Sequence, residues 1–306
     1  MGIAIISPGR DASIWVDNIK KLDQSIDIQV YPEIKDFESV DAVILWQHPK
    51  GYLSSFPNLK LICSMGAGVD HILSDTSIPS HLPITRIVDE RLTFSMTNYV
   101  IMGVLNYHRQ LNRYQQDQQH KVWDMSNPEL PVNVGIMGVG ALGGDVVDKL
   151  RYLGINVVGL GNSVKQHLSY PYYEQSQMDD FLAEVNVLVC MLPLTPGTEG
   201  ILNIDLFRKC NKGTYLINVA RGKHLVEEDL ILAINEGFIS GALLDVFRQE
   251  PLPASHPFWE MREVTITPHI ASVTNPSAAA PQIVDNYQRF KKGVELINQI
   301  DRKKGY

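Results

Sequence analysis

Residues 132–153 read VNVGIMGVGALGGDVVDKLRYL, and the order of residue types in this stretch decides the fold. A short apolar run, 132–137, ends in Gly138-Val139-Gly140-Ala141-Leu142-Gly143; Leu142, Val146, Leu150 and Leu153 then fall close to one helical face. Strand, glycine turn and helix in that order is how a parallel α/β sheet receives a dinucleotide. Gly138 permits the tight turn, Gly140 lets the backbone approach a pyrophosphate, and Gly143 allows close helix–strand packing. The helix start offers N–H groups and a positive dipole end to phosphate. A glycine triplet standing alone is equally a structural turn. The flanking strand and helix, with a further strand at 156–160, favour dinucleotide binding.

Working outward, short β-branched runs alternate with helical patterns almost throughout, which implies parallel strands joined by crossover helices. Strands are expected at 3–6, 42–46, 59–64 and 84–88, and, after the glycine loop, at 187–191, 214–219, 242–246 and 264–266. Residues 92–118 carry few breakers and predict one long helix, ended by the two prolines of DMSNPELP (124–131). Beyond His269 a last helix is expected, with Thr274 or Asn275 as cap, Pro276 in its first turn and a kink at Pro281. This pattern is an α/β protein with two doubly wound, Rossmann-like domains.

The loop after strand 156–160 bears on the choice of cofactor. It reads Gly161-Asn162-Ser163-Val164-Lys165, without the acid that holds the ribose 2′-hydroxyl of NAD. Asn162, Ser163 and Lys165 suit a 2′-phosphate instead, so NADPH is favoured and NADH stays open. A solvated loop whose lysine touches nothing is the plainer alternative.

Composition narrows the rest. With 306 residues, 44% hydrophobic and 20% charged, the chain has the balance of a folded protein long enough for two domains. A formal charge of -7 and the lack of a basic run speak against a nucleic-acid partner. Cys63, Cys190 and Cys210 are odd in number and form no CxxC, so neither a disulfide framework nor a metal site is expected. The opening MGIAIISPGRDAS does not read as a signal peptide, and no run of about 18 apolar residues predicts a membrane span. A cytoplasmic protein is expected.

Three polar residues follow successive strands of the second series: Arg221 after TYLINVA, Glu250 after ALLDVFRQ, and His269 after VTITP. Ligands of open parallel sheets bind at the carboxyl ends of strands. An arginine there can clamp a carboxylate and polarise the adjacent ketone. A histidine can protonate the carbonyl oxygen, and a carboxylate on the imidazole favours the charged ring and fixes its tautomer. Each residue alone reads equally as surface or capping chemistry; their joint placement points to carbonyl reduction.

The motifs NVARG (218–222), LDVFRQEP (244–251) and TPHIAS (267–272) resemble the three signatures of the D-isomer-specific 2-hydroxyacid dehydrogenases. MGAGVDHIL (65–73) resembles that family's substrate loop and MLPLTPGTEGILN (191–203) its nicotinamide-side segment. Within the family the pattern is similar to the glyoxylate/hydroxypyruvate reductase branch, although Ala141-Leu142 stands where many members carry Arg-Ile. The resemblance implies reduction of glyoxylate, hydroxypyruvate or a similar 2-keto acid in a cleft between a substrate domain (1–101 with 273–306) and a dinucleotide domain (102–272). It implies Arg221 as substrate anchor, His269 as proton donor and Glu250 as its partner, with backbone N–H groups at Ala67, Gly68 and Val69 on the substrate carboxylate. Further cofactor contacts are implied at Leu192, Pro193, Thr198, Val219, Ala220, Asp245 and Ala271, besides Arg221 and His269. Trp46 reads either as a wall of the substrate pocket or as a packed core indole, and Trp123 either as part of a homodimer interface or as ordinary packing. A dinucleotide-sensing corepressor on the same fold is the alternative of another class. A larger keto acid is the alternative within enzymes.

Overall fold

The computed structural model describes residues 2–162 and 168–305, so Ser163 and Lys165 of the cofactor-choice loop lie outside the described residues. The chain forms two compact units: one runs up to Leu92 and resumes at Val273, and the other is Thr93–Ser272.

The first unit is built on β1 (Gly2–Ile6), α1 (Ser13–Leu22), β2 (Asp27–Val30), β3 (Val40–Leu45), β4 (Leu61–Ser64), α2 (Asp70–Leu73) and β5 (Ile84–Thr85). Its five strands are all parallel, in the order β2-β1-β3-β4-β5. β1 and β3 are buried along their whole length, as strands covered on both faces should be. β2, unforeseen in the sequence, is an edge strand of sequence DIQV, too polar and short to stand out. β5 stops at Thr85 rather than continuing to Val88. Arg86 N–H turns to the Asn298 carbonyl and Ile87 N–H to that of Gly66.

The second unit begins within α3 (Glu90–His108) and continues through α4 (Leu111–His120), β6 (Asn133–Met137), α5 (Ala141–Tyr152), β7 (Asn156–Gly161) and β8 (Tyr172–Glu174). Then come α6 (Met178–Ala183), β9 (Val187–Cys190), α7 (Ile204–Lys209), β10 (Thr214–Asn218), α8 (Glu227–Asn235), β11 (Ile239–Leu244) and β12 (Val264–Ile266). The seven parallel strands run β12-β11-β10-β9-β6-β7-β8, so strand order reverses between β6 and β9. Successive residues point to opposite cores. Val187 and Val189 pack with α3 and α5, whereas Leu188 and Cys190 pack with α6, α7 and α8.

The single helix expected over 92–118 is two helices. Gln110 takes a left-handed φ of 53°, and His108 exchanges bonds with Leu130, its Nδ1 2.7 Å from the Leu130 carbonyl. By packing, α3 belongs to the second unit from Thr93 onward, because Met96, Tyr99, Val100 and Val104 enter that unit's core.

The chain returns to the first unit with α9 (Pro276–Lys292), capped by the Asn275 side chain on the N–H groups of Ser277 and Ala278. α9 lies beside α1; Ala279, Ile283 and Tyr287 share a core with Trp15 and Ile19.

Candidate functional site

The glycine loop joins β6 to α5 at the strand reversal of the second sheet, where open α/β sheets take their ligands. Gly138 has φ 103°, and a Cβ there would stand 2.6 Å from the Met191 carbonyl oxygen, so the loop lies against the segment that follows β9. A Cβ on Gly143 would fall 2.2 Å from the Gly138 oxygen, the close approach that locks α5 under the turn. Gly140 differs: its added Cβ would meet nothing within 4 Å. Gly140 and Ala141 are exposed at the helix start, and among the described residues no side chain caps it. An open surface beside uncapped N–H groups fits a pyrophosphate. Leu142 is half-buried against the core, and Asn162 is exposed just past β7. After β9, Leu192 is buried, and Thr198 folds its segment by donating to the Pro193 carbonyl at 2.7 Å.

Arg221 stands directly beyond β10, behind buried Val219 and Ala220. Its N–H lies 3.2 Å from Nδ1 of fully buried His224, whose Nε2 lies 3.3 Å from the Pro193 carbonyl. One imidazole thus ties the arginine's backbone to the segment after β9; sequence reading missed His224, which nothing but burial marks out. A Cβ on Gly222 would sit 1.9 Å from the Phe247 carbonyl carbon, so NVARG and LDVFRQEP meet where only glycine fits.

That contact brings Glu250 beside Arg221. Glu250 Oε1 accepts the Phe247 N–H at 3.0 Å, and Oε2 lies 2.7 Å from His269 Nδ1. A carboxylate only accepts here, so Nδ1 carries a proton. Both side chains are about one-third exposed, at 32% for His269 and 31% for Glu250. Burial pushes the Glu250 carboxyl up; the His269 and Phe247 hydrogen bonds, with the charges of His269 and Arg221, outweigh it and hold the group below its ordinary value.

His269 itself has φ 55°, a left-handed conformation costly for a residue with a Cβ. The cause lies in Asp245, 1% exposed at the end of β11. Its main-chain carbonyl accepts the His269 N–H at 2.9 Å. Its carboxylate accepts the Thr267 hydroxyl at 2.6 Å and the N–H groups of Ile270 and Ala271 at 2.8 Å each. Thr267 spends its one proton on Asp245, so the Tyr99 hydroxyl of α3 donates to Thr267. Asp245 therefore braces the turn that carries the histidine. Ala271 is buried beneath that turn.

In the first unit, Trp46 is half-buried just past β3, over Gly66, with its ring centroid 5.0 Å from that of His71. Ser64 orders the following loop, its hydroxyl donating to the Gly68 carbonyl at 2.9 Å. Among the described residues the N–H groups of Ala67, Gly68 and Val69 find no acceptor. Buried Cys63, Cys190 and Cys210 are free; burial pushes their thiols up, to about 11, 12 and 12, which leaves them unreactive.

Residues 101–271 match the model of the D-isomer specific 2-hydroxyacid dehydrogenase NAD binding domain. The whole chain is 37% identical to a glyoxylate/hydroxypyruvate reductase A of Yersinia enterocolitica, covering 100% of both sequences. A D-isomer specific 2-hydroxyacid dehydrogenase of Xanthobacter autotrophicus Py2, solved with NADPH and MES, superposes with a TM-score of 0.95 at 33% identity, covering 100% of this chain and 99% of that one. An NADPH-dependent glyoxylate/hydroxypyruvate reductase of Sinorhizobium meliloti, solved with NADP and sulfate, gives 0.93 at 32% identity, with 100% of both chains covered.

Proposed function

Because the chain belongs to the D-isomer-specific 2-hydroxyacid dehydrogenase family, we propose that it reduces short 2-keto acids, glyoxylate and hydroxypyruvate among them, to 2-hydroxy acids with NADPH. The observation that carries this reading is the Glu250–His269 contact of 2.7 Å beside Arg221, at the carboxyl edge of the sheet that bears the glycine loop. When bound, NADPH supplies the hydride for the keto carbon. The Gly138–Gly143 loop and the start of α5 would hold its pyrophosphate, residues of the 192–198 segment and of the Val219–Ala220 turn would bind its nicotinamide end, and Asn162, with Ser163 and Lys165 outside the described residues, would favour a 2′-phosphate.

Arg221 binds the substrate carboxylate as a planar fork, and the N–H groups at Ala67, Gly68 and Val69 are the first unit's candidate carboxylate donors. Glu250 keeps the Nδ1 proton of His269, so the proton handed to the substrate oxygen leaves from Nε2. Trp46 bounds the substrate's far end.

A second copy of the chain covers the surface around Trp123. That residue is 91% exposed, with Met125 at 76%, so the described residues leave it almost uncovered; an aromatic and apolar patch of this kind suits a homodimer. Among the described residues no helix is long and apolar enough to cross a membrane. Three free thiols suit a reducing compartment, and we assign the enzyme to the cytoplasm.

The test is a steady-state assay of glyoxylate, hydroxypyruvate, pyruvate and phenylpyruvate with NADPH and NADH. No turnover with any pair sinks the reading. His269→Ala is expected to lose several orders of magnitude in kcat with NADPH affinity kept, and near-normal turnover in that variant refutes the role given to His269.

A further inference from the structure

The first unit holds an arginine that the chemistry above leaves unused. Arg10 lies in the loop after β1, its guanidinium carbon 4.5 Å from the centroid of the Trp46 ring. Trp46 follows β3 directly, and β1 and β3 are neighbours in the sheet. The loop after β4 closes on the same indole, since a Cβ at Gly66 would come within 3.1 Å of Trp46 Cζ3. Arg10, Trp46 and residues 66–69 thus share the carboxyl edge of three adjacent parallel strands, the edge at which such sheets take ligands.

The Gly66 N–H is met by the Ser64 hydroxyl at 3.2 Å, but the side-chain donors gathered there lack acceptors among the described residues. Arg10 N–H donates to the Ser7 carbonyl at 3.1 Å, but among the described residues its guanidinium has no hydrogen bond or ion pair, and the indole is its one contact of note. The neighbouring carboxylate, Asp11, is turned away, accepting the Ser13 N–H at 2.8 Å and its hydroxyl at 2.9 Å. Trp46 Nε1 is buried without a partner among the described residues, a deficit that in general costs about 1–3 kcal/mol. Stacking on an aromatic face fixes the guanidinium plane and leaves its N–H fork to grip a planar anion. A lysine on its flexible stem would offer a point charge instead.

We propose that Arg10 is a specificity-determining residue that binds a second carboxylate on the substrate, beyond the keto carbon, so that short 2-keto dicarboxylic acids are favoured over 2-keto acids with an apolar tail. This rests on the reading above that the first unit's carboxyl edge receives the substrate.

The experiment uses the full chain, wild type and Arg10→Ala, with NADPH and with oxaloacetate, pyruvate and glyoxylate. The expected result is a wild-type kcat/KM for oxaloacetate above that for pyruvate, and an oxaloacetate-to-glyoxylate ratio that falls at least about tenfold in Arg10→Ala, mainly through KM, as loss of a charged hydrogen-bonded contact requires. Arg10→Lys is expected to recover only part of that ratio. An unchanged ratio, or an equal fall on all three acids, overturns the proposal while leaving the reductase reading intact. If no keto acid is reduced at all, the reductase reading falls, and calorimetry of tartronate against glycolate on the NADP-loaded chain then decides. Arg10→Ala weakening tartronate alone by tenfold supports the subsite, and equal affinity in wild type and variant rejects it.

Discussion

Replacing Asp245 by asparagine tests how the fold holds its histidine. In the wild type, Oδ1 accepts Thr267 Oγ1 at 2.6 Å and the Ile270 N–H at 2.8 Å, while Oδ2 accepts the Ala271 N–H at 2.8 Å. An amide of the same shape must aim its NH2 at one of these two positions. The cheaper orientation faces Ala271 and leaves one buried N–H against a donor, which costs about 1–3 kcal/mol. The two bonds kept at the other oxygen change from charge-assisted to neutral, at about 0.5–1 kcal/mol each. The sum is a loss of about 3 kcal/mol, read from chemical denaturation followed through the second unit. Activity is expected to fall further than stability implies. The turn that keeps His269 at φ 55° loses its brace, and relaxation displaces the imidazole. A misplacement near 1 Å costs on the order of 100-fold in turnover. The assay is single-turnover reduction of glyoxylate at saturating NADPH, on protein shown folded by circular dichroism. An Asp245→Asn protein within about 0.5 kcal/mol of wild type, with kcat within about twofold, would refute the brace.

Four further outcomes are expected. Tyr99→Phe removes the donor to Thr267 and should cost about 1 kcal/mol; a cycle with Thr267→Val should return a coupling near that size, and additive effects would break the relay from α3. Gly140→Ala should leave thermal stability unchanged, because the new methyl meets open space, yet weaken NADPH at least about tenfold by standing where the pyrophosphate belongs. Gly143→Ala should instead destabilise the apo chain, its Cβ forced onto the Gly138 carbonyl, and equal behaviour of the two variants contradicts the loop geometry. Asp75 supplies a pH dependence. Burial pushes its carboxyl up, but bonds from Ser77, Gly51 N–H and His48 outweigh that and hold it at about 2 against 3.8 unperturbed. A depressed folded value stabilises above the unfolded one, so about 2 kcal/mol is present above pH 4 and is lost as pH falls from 3.8 towards 2. Asp75→Asn should therefore be less stable at pH 7 and flatten the acid limb of a urea-midpoint titration; parallel curves would remove Asp75 as its source.

Much of the α/β architecture was legible because buried parallel strands write themselves as short apolar runs. VNVGIM before the glycine loop, VLVC at β9 and TYLIN at β10 are strands covered on both faces. The strands that escaped notice, DIQV and YYE, both lie at sheet edges, where one side of the ladder is open and no long apolar run is needed. The break between α3 and α4 was hidden for a related reason. It is set by a bond between His108 and Leu130, far apart in sequence, and not by a glycine or proline at Gln110.

The sequence by itself determined the class of fold, the place of the glycine turn and the types of the candidate reacting groups. These depend on local order: strand, glycines and helix in succession, and polar residues directly after apolar runs. Only the tertiary structure decided which groups touch. His269 meets Glu250 because Gly222 lets two strand-end loops close on each other and because Asp245 folds the 267–271 turn back on itself. Those contacts join residues some twenty positions apart, and burial rather than residue type sets their geometry. Arg10 carried no signal in the sequence for the same reason: a lone arginine in a loop gains meaning only from the indole beneath it.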